Sequence, residues 1–121
     1  MGKTAPSYEE ITKEILLDFG VPAELKGYLY LVDAIAAAAK AENILNVKIK
    51  DLFAQLATTY GDTVAGVDAA ITQAIEETWS RNDIGMLSQF FGYLSISVEP
   101  PDNMEFIIFV ADKVQLHKRF S

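Results

Sequence analysis

The sequence predicts an all-α fold, a single domain of six helices with a helix-turn-helix at its centre. Three observations predict it. Apolar residues recur every three to four positions along most of the chain, the spacing of an amphipathic helix. Glycines, prolines and small polar residues fall where these stretches end. Two of the stretches are separated by little more than Gly61 and Asp62, a turn tight enough for a helix-turn-helix.

Residues 1–7 read as a flexible leader and residues 8–121 as the domain. Ile11, Ile15, Leu16 and Phe19 share one face of a first helix, which Gly20 ends. Pro22 suits the first turn of a second helix, with Leu25, Tyr28, Leu29, Val32 and Ile35 as its buried stripe and the alanines at 36–39 continuing it. The pattern breaks near Asn43 to Asn46. A third helix carries Ile49, Leu52, Phe53, Leu56 and Tyr60 on one side, with Lys48, Lys50 and Asp51 free to face water, and stops at Gly61. Thr63 can cap a fourth helix in which Val67, Ile71, Ile75 and Trp79 repeat every four residues. Asp83 can cap a fifth through Met86, Leu87, Phe90 and Phe91, closed by Gly92. LSISVE alternates like a strand but has no neighbouring strand to pair with, and reads as an extended arm. After Pro100, Pro101 and Asp102, a final helix holds Phe106, Ile107, Val110 and Val114 and ends in a basic tail.

Composition excludes several classes of function. With 121 residues the chain can bury one core but not two, and 50% apolar residues exclude a disordered tail. The longest apolar run, Phe106 to Ala111, is far too short to span a bilayer, and no signal or lipidation pattern opens the chain, so a cytoplasmic address is expected. Zero cysteines and a single histidine, His117, leave no thiol chemistry and no metal cluster, so no cofactor, metal or small-molecule ligand is expected. Glu76 and Glu77 diverge by about 100° on a helix and cannot form a facing carboxylate pair. No catalytic constellation remains, and the chain reads as a non-enzyme. A net charge of −7 repels a polyphosphate at long range.

Four segments carry a resemblance to a known family: GVPAELKGYLYLVDAI at 20–35, AIEETWSRNDI at 74–84, FGYL at 91–94 and MEFIIFVADKVQL at 104–116. From Gly20 to Leu116 the chain resembles, almost without gaps, the C-terminal effector domains of the stage zero sporulation response regulators. The resemblance implies six helices, the fourth entering the DNA major groove, and transcription regulation partly through contact with RNA polymerase. It also implies a preceding receiver domain, to which nothing in this sequence is similar; a fragment of a longer regulator and a free-standing copy both fit.

The resemblance further implies arginines at the positions held here by Gly66, Ala69 and Thr72, an acid at Asp68 and a histidine at Gln73. Only Asp68 keeps that chemistry. Between Tyr60 and Trp79 there is no Lys or Arg, while Asp62, Asp68, Glu76 and Glu77 are acidic. Base readout in the major groove rests largely on bidentate arginine, so weakened, altered or lost DNA recognition is expected. The remaining candidates for DNA contact are Lys48, Lys50, Thr63, Asp68, Thr72, Gln73 and Arg81: Gln73 for adenine, Thr72 for a thymine methyl, and the cations for phosphates. Solvated helix-surface roles are the plainer reading of each. Ala65, Gly66, Ala69 and Ala70 leave the same face small and flat, the basis of an alternative in which the fold serves protein docking or homodimerisation. Trp79, Phe90, Phe91 and Tyr93 read as core, not as a base-stacking platform, and Tyr28 and Tyr30 as core residues with surface hydroxyls.

Overall fold

Five α-helices and one 3-10 turn make up the described part of the computed structural model, residues 5–81 and 99–120, and no strand occurs among these residues. They are α1 (Tyr8–Phe19), α2 (Lys26–Lys40), the 3-10 turn (Ile44–Asn46), α3 (Ile49–Tyr60), α4 (Val64–Arg81) and α5 (Asn103–Arg119). The helix expected from Asp83 and all of the LSISVE arm except Glu99 lie outside the described residues, as do Phe90, Phe91 and Tyr93.

Local chemistry fixes the helix ends. At α1 the Ser7 hydroxyl accepts from the Glu10 amide while the Glu10 carboxylate accepts from the Ser7 amide, a reciprocal capping box that satisfies two otherwise open donors. The same box closes on Asp102 and Glu105 at the start of α5. Gly20 and Gly61 end α1 and α3 in the left-handed region, at φ of 81° and 65°, where a side chain would be strained.

α2 corrects the sequence-based expectation in two ways. It begins at Lys26, not at Pro22, because Pro22 instead opens a turn in which its carbonyl accepts from the Leu25 amide. Its buried residues run nearly all the way round, with Gly27, Tyr30, Leu31, Val32, Ala34, Ile35, Ala36, Ala38 and Ala39 inside. Leu29 is 43% exposed, and Tyr28 and Leu25 are only partly buried. The physical reason is position: α2 is the central helix, packed against α1, α3, α4 and α5 together, so only the narrow strip of Lys26, Leu29, Asp33, Ala37 and Lys40 is left outside the core.

The other helices close around it. α1 and α5 run antiparallel, with the Phe19 and Phe106 rings 5.8 Å apart at one end and Lys118 Nζ donating to the Pro6 carbonyl at the other. Trp79 meets Phe106 edge-on at 6.3 Å and ties α4 into the same core, where it sits as expected. The Gln115 amide donates to the carbonyls of Ala39 and Ala41, satisfying acceptors left open at the end of α2. No helix among the described residues is long and apolar enough to cross a membrane.

Candidate nucleic-acid interface

α3, the Gly61-Asp62 turn and α4 form the helix-turn-helix that the sequence predicts. Val67, Ile71, Ala74, Ile75, Thr78 and Trp79 bury the inner side of α4. Two tyrosine–aspartate hydrogen bonds clamp the unit onto α2. Tyr30, on α2, donates its hydroxyl to Asp62 in the turn at 2.7 Å, and Tyr60, at the end of α3, donates its own to Asp33 on α2. The two rings lie 5.3 Å apart. Tyr60 therefore ends α3 at an exposed, clamped position and not in the core.

The clamp sets the charge state of its members. The Tyr30 hydroxyl, followed by the Thr63 amide and nearby Lys26, holds the Asp62 carboxyl below the usual aspartate range. The Asp33 carboxylate pushes the Tyr60 hydroxyl up to about 12, and Asp62 raises that of Tyr30. Asp62 is thereby kept ionised, and both phenols neutral, at ordinary pH.

A close backbone approach positions α4 from behind. A Cβ on Gly27 would stand 2.1 Å from the Ala70 carbonyl oxygen, so only glycine lets α2 and α4 cross at this distance. Ala70 is accordingly half-buried at the crossing and belongs to the inner side of the helix, not to the open surface on which the docking alternative placed it. Gly66 is also committed locally. A Cβ there would lie 2.1 Å from the Asp62 carboxylate, the group that Tyr30 and the Thr63 amide hold in place.

The start of α4 is chemically satisfied by its own residues. Thr63 caps it, its hydroxyl accepting from the Gly66 amide at 2.9 Å, while Asp62 accepts from the Thr63 amide at 2.7 Å. A carboxylate thus sits where the partial positive charge of a helix N-terminus would otherwise receive a phosphate.

The remaining candidates divide into those on open surface and those held by neighbours. Ala65, Ala69, Gln73 and Glu76 are exposed along the outer side of α4. Asp68 and Thr72 are engaged by α5: the Asn103 amide donates to the Asp68 carboxylate at 2.8 Å, to the Asp68 carbonyl at 3.1 Å and to the Thr72 hydroxyl at 3.0 Å. Thr72 is half-buried beneath this bridge and is not presented as a free reading residue. Arg81 is paired with Glu77 at 3.2 Å and Glu24 at 3.5 Å. Lys48, the N-cap residue of α3, and Lys50 in its first turn are both exposed.

Sequence reasoning missed Asn103 and the linked roles of Asp62, Tyr30, Gly27 and Gly66. Asn103 had no visible signal, because its partners are more than thirty positions away. The Asp102–Glu105 spacing was readable as a capping box, and it places Asn103 at the first position of α5. Among the described residues, no group of three or more His, Cys, Asp and Glu side chains is arranged to hold a metal ion.

Residues 12–114 match the family model described as "Sporulation initiation factor Spo0A C terminal".

Proposed function

The chain belongs to the Spo0A C-terminal family of sporulation initiation factors, regulatory DNA-binding effector domains, and from that premise we propose that its own recognition of double-stranded DNA is weakened and altered. The observation that carries the reading is the outer side of α4. It presents Ala65, Ala69, Gln73 and Glu76 without a cation, beside an N-terminus already occupied by the Asp62 carboxylate. Gln73 is the exposed side chain able to pair with an adenine edge, and Lys48 and Lys50 are the cations free to approach phosphates. A contact of this kind is dominated by the DNA backbone and carries little sequence information. No catalytic step belongs to this reading, and a cytoplasmic setting accompanies it.

The competing assignment, a protein-docking face on α4, loses half of its basis. Gly66 lies against Asp62 and Ala70 against α2, which leaves Ala65 and Ala69. DNA contact is therefore the better-supported reading.

A fluorescence-anisotropy titration against the family's DNA site and a random duplex, at low salt, tests it. The expected result is comparable binding to both, with Kd in the range of roughly 10⁻⁴–10⁻⁶ M typical of non-specific contact. A preference of about 10³ or more for the family's site would overturn the loss of readout. Absence of binding to either duplex would overturn DNA contact altogether and favour a protein partner.

A further inference from the structure

The antiparallel pair α1 and α5 leaves a groove of about 680 Å³ on the molecular surface. These two helices pack on α2 and on each other, while α3 packs on α2 and α4, so the groove does not belong to the helix-turn-helix. Leu17 beside it is 71% exposed, Leu116 53% and Phe120 79%. Three large apolar side chains gathered at one groove form a patch, unlike the scattered exposed leucines that any surface carries.

The charges on its two edges have opposite signs. Glu14 and Asp18, one helical turn apart, line it from α1, and Lys113 supplies the positive charge on the α5 edge, with His117 one turn further along. Among the described residues neither Glu14 nor Asp18 forms an ion pair, and Lys113 stacks on the Phe109 ring of its own helix at 4.9 Å. An apolar centre with one acidic and one basic edge is complementary to itself. A two-fold rotation about an axis lying along the groove sets the acidic edge of one copy against the basic edge of the other and brings the apolar residues together.

We propose that this groove is an isologous interface between two copies of the chain, with Leu17, Leu116 and Phe120 at its centre and Glu14 and Asp18 facing Lys113 of the second copy. A patch built on two helices falls at the small end of stable interfaces, so the dimer forms and dissociates readily with concentration. It involves none of the residues that contact DNA in the proposed function and stands whether or not that reading holds.

Sedimentation equilibrium of the full chain tests the proposal. The apparent mass should rise with concentration towards that of a dimer, and Leu116→Asp should weaken association by about tenfold or more. The stronger test uses charge. Glu14→Lys with Asp18→Lys makes both edges basic, and Lys113→Glu makes the α5 edge more acidic. Each variant alone should dimerise less than the parent, even though the first carries less net negative charge, and an equimolar mixture should recover a heterodimer. Unchanged circular dichroism will separate lost association from lost folding, since all of these positions are at the surface. A mass that stays monomeric at every concentration, or a dimer that the charge variants and their mixture leave unaffected, would overturn the proposal.

Discussion

The two sides of α4 follow different rules. Inward, Val67, Ile71, Ile75 and Trp79 repeat at helical spacing, and all four are buried. Outward, Ala65, Ala69, Gln73 and Glu76 are exposed among the described residues. Packing constrains the first set to a few shapes, whereas only a binding partner constrains the second. A helix can therefore keep its family's architecture through one side while the chemistry of the other is replaced.

The largest expected effect breaks the inner side. Ile71→Ala removes a fully buried side chain and should destabilise the domain by about 2–5 kcal/mol in chemical denaturation. Gly27→Ala comes next, because its new methyl must push the α2 and α4 backbones apart; overpacking of this kind costs about 1–3 kcal/mol. It should also shift amide resonances along α4 in an NMR spectrum, which a purely local defect would not.

On the outer side the order reverses, with little change in stability and a change in binding. Ala69→Arg should leave stability within about 0.5 kcal/mol and raise DNA affinity about tenfold at low salt, one bidentate contact being worth about 1–3 kcal/mol. Equal affinities for parent and variant would show that α4 does not enter the groove as the family's helix does.

The smallest effect sharpens the clamp between the two sides. The Tyr60 pKa is raised from 10.0 to about 12, so the protonated phenol is favoured in the folded state. The stability that this hydrogen bond adds is complete below pH 10 and is lost as pH rises towards 12. An absorbance titration should show tyrosinate forming late at Tyr60, and Asp33→Asn should return that step to near 10.

The same contrast explains what was legible in the sequence. α1, α3 and α4 each bury one stripe against a polar remainder, and their faces and glycine stops could be read directly. α2 could not, because a helix surrounded on most sides keeps only a narrow outward strip, and that strip includes the apolar Leu29, which was assigned to the core although Leu31 is the leucine buried there. Thr63 was recognisable as a cap because its partner lies three residues away. The Asp62–Tyr30 bond spans 32 positions and the Asn103 bridge to Thr72 spans 31, and no local pattern announces either. Thr72, Arg81, Gly66 and Ala70 consequently looked more available than they are.

The contact between Gly66 and Asp62 makes history matter. Arginine at 66 and the present Asp62 conformation exclude each other, since the first carbon of the new side chain would overlap the carboxylate. Replacing residue 66 first meets that carboxylate; replacing Asp62 first gives up its bond to Tyr30. The loss of the Tyr30 bond follows any change of Asp62, but the clash at 66 exists only while Asp62 is present, so the cost of changing residue 66 depends on residue 62 and the two sites are epistatic. For a lineage, the order of substitutions counts: what a side chain at 66 costs is decided by the residue already standing at 62.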